Sequence, residues 1–259
     1  MLLVGAGAVA LAVVLGLVLT GHGTHHDDGG APYAAPFGRG GAAGTGDRLA
    51  FHTGDPGTVV LDGVSGRISV TADAGAHEVT GTFRPADGAA GLHGRLVAAS
   101  DDSASGDTGS GGALTVRCAD GAGAVVPCAG DLSLTLPADT GLRLRQTSGE
   151  TVLTGLGGEL SVSTASDRLT ASGLRPARAD FAVVSGSADV TFAGAPASLT
   201  VQETSAAATV RLPAGDAYAV STSSASADVQ VRVPQDTGAA AAHRIALQVD
   251  SGSLQVLPG

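Results

Sequence analysis

The carboxyl-terminal half of the chain consists of one short unit that recurs about six times between Asp131 and Val256. Each copy has an alternating apolar segment, a turn rich in Ser, Gly and Ala, a second alternating segment and a loop, as in LRLRQTSGETVLTGL (Leu142 to Leu156). The first apolar residues after the turns are Val152, Leu169, Val190, Val210, Val229 and Leu254, at steps of 17, 21, 20, 19 and 25 residues. A period near 20 predicts a solenoid or stacked array, in which each copy covers the apolar face of its neighbour.

Apolar and polar residues alternate within each copy, as at Leu160/Val162 and Phe181/Val183. This period of two predicts strands with one buried face. The Ser148-Gly149 and Ser251-Gly252 pairs predict tight turns, because Gly accepts the positive φ that hairpins need. We therefore expect an all-β fold, a β-solenoid or β-helix-like stack of short strands, with each copy folded as a hairpin-like rung.

A second recurring segment is expected to end strands. LPADTG (Leu136 to Gly141) returns as VPQDTG (Val233 to Gly238) and more loosely as LPAGD (Leu212 to Asp216). Proline has no amide donor and ends a ladder, and the Asp and Gly that follow favour a turn. LPADTG resembles a sortase signal but has one residue too many, and no hydrophobic tail and basic end follow it. We therefore interpret it as a structural turn.

The amino terminus predicts a single transmembrane helix. Residues 2–20 carry no charge, and nineteen residues nearly span a hydrocarbon core of roughly 30 Å. A transmembrane anchor at residues 1–20 is the first interpretation, with a cleaved signal peptide as the alternative. The same run contains GAGAVA (Gly5 to Ala10), a match to a dinucleotide-binding pattern. We reject that match because no strand precedes it and no βαβ unit surrounds it.

Residues 21–50 are expected to be a disordered tether rich in Gly, Ala and Pro, ahead of a β-repeat domain at 51–259. The tether holds a possible metal-binding cluster, formed by His22, His25, His26, Asp27 and Asp28. Ordering a floppy chain around a metal has a large entropic cost, so a solvated spacer is the favoured interpretation.

Two other segments resemble metal sites without meeting their requirements. The loop at residues 99–112 carries Asp101, Asp102 and Asp107 but lacks the spacing and terminal Glu of an EF-hand. His77-Glu78 opens a His-Glu-x-x-His pattern, but Gly81 stands where the second His should be. We therefore predict no metal site and no cofactor.

Cys118 and Cys128 are the only cysteines. In an external compartment two nearby cysteines are expected to form a disulfide. A metal-binding or redox pair is the alternative, but the chain has no Cys-x-x-Cys.

Charge excludes several partners and reactions. The net charge is −10, and the chain contains no Lys. An acidic chain is a poor partner for nucleic acid or anionic membrane surfaces. Without Lys there is no Walker-A lysine, Schiff-base lysine or Ser-x-x-Lys nucleophile. No Gly-x-Ser-x-Gly elbow occurs, and no His lies in a recognisable nucleophile context. We predict no catalytic residues and no enzymatic activity.

The strand–Ser-Gly–strand units, above all LSLTLPADTGLRLRQTSGETVLTGLGGELSVSTAS, resemble the adhesin family with DUF4097-type repeats found in bacterial envelopes. The likeness runs from about Val59 to the carboxyl end and is strongest from Asp131 onward. It implies a β-solenoid or stacked β-sheet fold with an adhesive or scaffold role, and supplies no catalytic residues. This chain departs from the family in its Cys pair and its polar insert at 99–112.

These observations favour a membrane-anchored protein of the bacterial envelope. Its repeat domain is expected outside the cytoplasm, in a single-pass arrangement, as a non-catalytic adhesin or interaction platform for an envelope protein or glycan. A regulatory or sensor partner of another membrane protein is one alternative. A β-helix carbohydrate-active enzyme is another, although such enzymes line one face with clustered charges, whereas the predicted faces here carry mainly Ser, Thr and Ala.

Overall fold

The computed structural model describes residues 49–53, 56–86, 91–97, 112–119, 124, 126–238 and 240–259. The thirteen strands of the described residues are β1 (Leu49–Thr53), β2 (Thr58–Asp62), β3 (Val64–Asp73), β4 (Val79–Pro85), β5 (Gly91–Val97), β6 (Ala113–Ala119), β7 (Cys128–Pro137), β8 (Gly141–Thr154), β9 (Leu160–Leu174), β10 (Arg178–Phe192), β11 (Ser198–Leu212), β12 (Ala219–Val231) and β13 (Arg244–Pro258). The part of the chain that is described is therefore all-β, as predicted. It lies within one compact unit.

Three sequence predictions fall outside these residues. They are the anchor at 1–20, the tether as far as residue 48 and the Asp-containing loop at 99–111. Within the described ranges, no helix is long and apolar enough to cross a membrane. β1 begins at Leu49, slightly before the boundary predicted at 51.

The long strands of the repeat lie side by side, parallel and in register. Leu142 of β8 pairs with Leu160 of β9, which pairs in turn with Ala179 of β10. Ala179 then pairs with Leu199 of β11. The repeat length found in the sequence is thus the step from one strand to the next, which places equivalent side chains in continuous columns across the sheet.

The hairpin prediction was wrong, because each copy is one long bent strand. β9 runs from Leu160 to Leu174 without a break, and its hydrogen-bonding partners are the neighbouring copies β8 and β10. The pairing omits one residue in the middle, Ala165, and the buried positions change from even to odd numbers there. The strand bends at this point, so that both halves turn their apolar side chains to the same interior.

The glycine of the Ser-Gly pair lies at this bend and not in a hairpin turn. Gly186 of β10 has φ of 107°, and a Cβ there would lie 2.1 Å from the carbonyl oxygen of Asp167 on β9. With this positive φ, a side chain at Gly186 would run into the backbone of the neighbouring strand, so this position requires glycine. The Ser-Gly signal is therefore a real constraint, although it does not reverse the chain.

Two further bent rungs are each divided between two short strands. β2 and β3 pair with the two halves of β8, and β6 and β7 pair with β2 and β3. Antiparallel strands follow at this end, since β4 pairs with β7, β1 with β4 and β5 with β6. The amino-terminal end of the sheet thus consists of strands that are antiparallel to the strands they pair with.

The last two copies are stacked in reverse order. The sheet continues β10-β11-β13-β12, so the carboxyl-terminal strand lies between β11 and β12. The inward positions of β13 include Leu247, Val249 and Leu254, which are at most 1% exposed, whereas Thr222 and Ser224 of β12 are exposed. The more apolar copy therefore takes the inner place and the more polar copy ends the sheet.

The core is one continuous cluster of mainly Val, Leu and Ala side chains from both halves of the rungs. Val184 is the one large hydrophobic side chain that is exposed in the described part of the chain. The recurring Pro-Asp segments agree with the prediction in part. Pro137 ends β7, and the N–H of Gly238 donates to the Asp236 carboxylate in a turn after β12. Pro234 does not end a strand, because β12 ends at Val231.

Candidate functional site

A column of serines runs along the outside of the bend. In strand order its members are Ser148, Ser166, Ser185, Ser205, Ser251 and Ser226. The hydroxyl of Ser185 donates to the carbonyl of Ala165, and that of Ser251 to the carbonyl of Thr204. Both carbonyls belong to the residue that the strand pairing omits. Ser185 and Ser251 therefore satisfy backbone carbonyls that the bend removes from the ladder.

The serine column forms a ridge together with the omitted residues Thr147, Ala165, Val184, Thr204, Asp250 and Ala225. Val184 is 50% exposed on it. Six strands at about 4.8 Å separation give this serine ridge a length of roughly 24 Å. Small hydroxyl groups repeated at this spacing, with methyl groups and one carboxylate beside them, suit contact along an extended surface better than enclosure of a small molecule.

The inside of the bend holds buried polar side chains. Gln146 donates to the carbonyl oxygens of Gly66 and Ser148, at 2.8 and 3.0 Å, and accepts a hydrogen bond from the Thr151 hydroxyl. These bonds connect the two halves of β8 across the bend and attach them to β3. Gln146 and Thr151 are thus satisfied buried groups with a structural role.

Two other side chains on the inside of the bend, the carboxyl groups of Asp167 and Glu203, have no such hydrogen bonds. Asp167 is 4% exposed and Glu203 is 3% exposed, and none of their carboxyl oxygens has a hydrogen-bond partner among the described residues. The Thr151 hydroxyl, which lies near Asp167, donates its hydrogen bond to Gln146. Both groups therefore lie in an environment that disfavours their charged forms.

Burial raises the pKa of Glu203 from its ordinary 4.5 to about 7. Burial also raises the pKa of Asp167. Glu203 lies in a column between Val183 on β10 and Val249 on β13, both buried. An ionisable group thus occupies a position that the neighbouring copies fill with an aliphatic side chain. Neither carboxyl group reaches the surface, so neither can contact a substrate from outside.

His243, in the loop after β12, contacts the loop between β10 and β11 and the loop between β11 and β12. Its Nδ1 donates to the carbonyl of Pro196 at 2.9 Å, and its Nε2 lies 3.9 Å from Asp216. Its ring packs against Tyr218, whose hydroxyl donates to the carbonyl of Pro213. Burial, and then Asp216, raise the pKa of Tyr218 to about 12. The contacts of this histidine are therefore structural ones.

The predicted pairing of Cys118 and Cys128 is present, with Cα atoms 5.9 Å apart. Thr58 pairs with Ala113 and Val64 pairs with Cys128, so the segment from Ala113 to Cys128 is longer than the rung segment that it accompanies. An insertion thus separates β6 from β7 at the position where the other copies bend, and the disulfide joins the two ends of this insertion. It thereby holds β6 and β7 in the positions that a continuous strand would give them.

Replacing both cysteines by alanine is expected to lower the free energy of unfolding by about 2–3 kcal/mol, because the unfolded chain regains the entropy of an open ten-residue loop. Urea unfolding of the oxidised protein and of the Cys118→Ala/Cys128→Ala variant measures this difference. Reduced wild-type protein serves as the control and should match the variant. Equal midpoints for the oxidised protein and the variant would show that the disulfide does not stabilise the folded chain.

The remaining residues singled out in the sequence do not come together. His77 and Glu78 lie exposed in the turn between β3 and β4, and the His and Asp cluster of residues 22–28 lies outside the described residues. In the described ranges, no group of three or more His, Cys, Asp or Glu side chains is placed to hold a metal ion.

Sequence reasoning missed the two buried carboxyl groups. Aligning the copies on their serines would have shown Glu203 at an inward position occupied by Val183 and Val249 in neighbouring copies. Asp167 would have appeared between Gly149 and Gly186, in a column that otherwise holds Gly and Ala. The signal was present, but the assumption of a turn at this point concealed that the column faces inward.

Comparison with known proteins supports the fold. Neither a family model nor a curated protein matches the chain. Among solved structures, a "putative cell adhesion protein" from Clostridium sporogenes matches with a TM-score of 0.51 and 11% identity, over 82% of this chain and 100% of that one. A "putative adhesin" from Bacteroides fragilis also matches, with a TM-score of 0.33 and 9% identity, over 81% of this chain and 96% of that one. The chain has an adhesin-like all-β fold.

Proposed function

We propose that the chain is a non-catalytic adhesin or scaffold of the bacterial envelope, in which a β-solenoid is held outside the cytoplasm by a transmembrane anchor at residues 1–20. The observation that carries the proposal is the serine ridge. Stacked rungs of one repeat present the same small groups six times along roughly 24 Å. A surface of this kind contacts an extended partner, such as a glycan strand or a polypeptide, at many equivalent points.

Three other features support the proposal. The disulfide suits an oxidising compartment outside the cytoplasm. The fold resembles that of a solved structure described as a cell adhesion protein, although the likeness concerns the fold alone. The two carboxyl groups with raised pKa values are buried, which leaves them without access to a substrate. A structural platform accounts for these features more simply than an enzyme.

The ridge is tested by adding one negative charge on it and one elsewhere. Val184→Glu places a carboxylate on the ridge, and Thr170→Glu places one on an exposed position of β9 away from it. The full chain is mixed with isolated cell-wall sacculi and sedimented. We expect Val184→Glu to reduce the bound fraction about tenfold and Thr170→Glu to change it less than twofold, because charge on a contact surface must be desolvated. Absence of wild-type binding, or equal losses in both variants, would contradict the ridge as the contact surface for this polymer.

The anchor is tested by deleting residues 1–20. The shortened chain should leave the membrane fraction, because residues 49–259 supply no spanning helix where the structure describes them. The matched control replaces residues 1–20 by an unrelated apolar helix of equal length, which should restore membrane association. Unchanged fractionation of the deleted chain would show that another part of the protein attaches it.

A further inference from the structure

We propose that two copies of the chain pair through β12, antiparallel and about a two-fold axis, so that the two stacks join end to end. The inference concerns self-association and does not depend on the proposed function. It rests on the outer edge of β12, with which no other described strand pairs, on the symmetry of the bend in β12 and on the distribution of its charges.

The edge of β12 can be assigned residue by residue. The N–H of Ala219 donates to the carbonyl of His243 and that of Arg232 to the carbonyl of Val256, both towards β13. Alternate residues of a parallel strand direct their backbone groups to opposite sides. Because the pairing with β13 omits Ala225, the residues whose N–H and C=O groups point away from β13 are Val220, Thr222, Ser224, Ala227, Val229 and Val231.

Tyr218 supports this assignment. It lies one residue before Ala219, and its N–H donates to the carbonyl of Pro234 while its own carbonyl accepts from the N–H of Asp236. The segment at 234–236 thus covers the outer edge at Tyr218. Among the described strands, β12 is the last of the sheet, and β13 is its one strand partner.

From Ala219 to Val231, this edge lacks the usual protection against strand pairing among the residues that the structure describes. Natural edge strands are commonly short, interrupted by Pro, charged or covered. β12 has 13 residues, contains no Pro and carries one charge, Asp228. At the other end of the sheet the edge strand β1 has five residues. The unprotected edge therefore belongs to the end formed by β12.

The bend fixes one register for self-pairing. The outward-directed residues have even numbers before the bend and odd numbers after it, so a two-fold axis must pass between two residues rather than through one. Placing it between Ala225 and Ser226 superimposes the two bends. Val220 then faces the partner's Val231, Thr222 faces the partner's Val229 and Ser224 faces the partner's Ala227. Each is a hydrogen-bonded antiparallel pair.

This register also brings the apolar cores of the two copies together and keeps the two Asp228 carboxylates apart. The same six residues turn their side chains to the inner side of the rung, so the partly buried Val220, Val229 and Val231 would continue the core into the second copy. Asp228 faces the partner's Ser223 rather than another carboxylate. The repulsion expected between two chains of net charge −10 is therefore absent within the pairing strand.

A second copy is favoured over an open filament. The opposite end of the stack finishes in the antiparallel strands β4, β1 and β5, which do not repeat the geometry of β12. Among the described strands, head-to-tail addition thus has no matching surface, whereas a two-fold contact closes. The pairing strand is shorter than the roughly 20–30 residues that each side of a standard interface contributes, so we expect a dimer with a Kd in the micromolar range.

The register is tested with single-cysteine additions to the full chain in mild detergent. In the proposed register, Ser223 faces the partner's Asp228 on the outer face of the sheet. The two residues form a non-hydrogen-bonded pair with Cα atoms about 4.5 Å apart, which is within the range of disulfides. Mixing Ser223→Cys with Asp228→Cys protein should give a cross-linked heterodimer under mild oxidation. Neither variant should cross-link with itself, because Ser223 and the partner's Ser223 are well separated along the paired strands.

A charge substitution supplies the second readout, by sedimentation velocity at up to about 100 µM, well above a micromolar Kd. Thr222→Lys, on the inner side of β12, should weaken dimerisation at least tenfold. Ser221→Lys, the neighbouring residue on the outer side, is the matched control and should change it less than threefold. A monomer throughout this range, a dimer that Thr222→Lys leaves unchanged, or self-cross-linking of either cysteine variant would overturn the proposal.

Discussion

A chain that lacks residues 244–259, and with them β13, should lose the native structure of β12 while retaining that of β8 to β11. β13 lies between β11 and β12, and its five most buried side chains are Ile245, Leu247, Val249, Leu254 and Val256. At about 1.5–3 kcal/mol each, their loss approaches the whole stability of an ordinary domain, about 5–15 kcal/mol. Stacked strands depend chiefly on their nearest neighbours, so the loss should be greatest at the carboxyl-terminal end.

Hydrogen exchange measures this directly. In the truncated chain, amides of residues 219–231 should exchange at least a hundredfold faster than in the full chain, whereas those of β8 and β9 should change much less. The matched control deletes residues 257–259, which contribute no fully buried side chain. Native protection of residues 219–231 in the absence of β13 would contradict the reversed order of the last two strands.

Glu203→Val should stabilise the protein at pH 8 by about 3 kcal/mol more than it does at pH 4, because the substitution removes a group whose charged form is disfavoured in the folded chain. The buried carboxyl has a pKa of about 7 in the folded chain and an ordinary value of 4.5 when unfolded. Between these values the folded state holds the extra proton, so this group lowers stability as pH rises from about 4.5 to about 7. The shift corresponds to about 3 kcal/mol at about 1.4 kcal/mol per pKa unit.

The comparison must be between wild type and variant at each pH, because other groups, Asp167 among them, titrate in both proteins. Valine suits the position because Val183 and Val249 occupy it in the neighbouring strands. Glu203→Gln is the matched control: it removes the titration but keeps a polar side chain, so it should abolish the same pH dependence with a smaller gain in stability. An equal effect of Glu203→Val at pH 4 and pH 8 would show that the carboxyl is not desolvated.

The sequence was sufficient to predict that the repeat is built of strands, which of their side chains are buried, and the repeat length. Alternation at Leu160/Val162 and Phe181/Val183 identifies the inward side chains, and all four are buried. Equivalent residues of β8 to β11 pair at a spacing close to the predicted period. These properties follow from the local pattern of apolar residues, which the fold does not override.

The path of each copy could not be read in the same way. Ser185-Gly186 has the composition of a hairpin turn, yet it lies within a continuous strand whose partners are other copies. A Gly with positive φ fits both arrangements, so local sequence does not distinguish a turn from a bend. The choice depends on non-local pairing, because parallel neighbours satisfy the backbone on both sides of every inner strand.

The order of the last two strands and the buried carboxyl groups also depend on the whole stack. β12 precedes β13 in the chain but lies outside it, since Thr222 and Ser224 would be poor substitutes for Leu247 and Val249 in the interior. Glu203 becomes unusual once its neighbours in the column are known. Both features appear when copies are compared position by position rather than along the chain.

The most direct test of the parallel stacking of bent strands is a distance between two spin labels. The labels are attached to cysteines that replace Ser148 and Ser226. Five steps between parallel neighbours at about 4.8 Å predict a separation of about 24 Å, with a label at position 251 in place of 226 one step closer. If each copy were instead a hairpin in a sequential array, eight strand steps would separate positions 148 and 226, about 38 Å. The shorter of these two distances is the result expected for bent parallel rungs, and the longer one would contradict them.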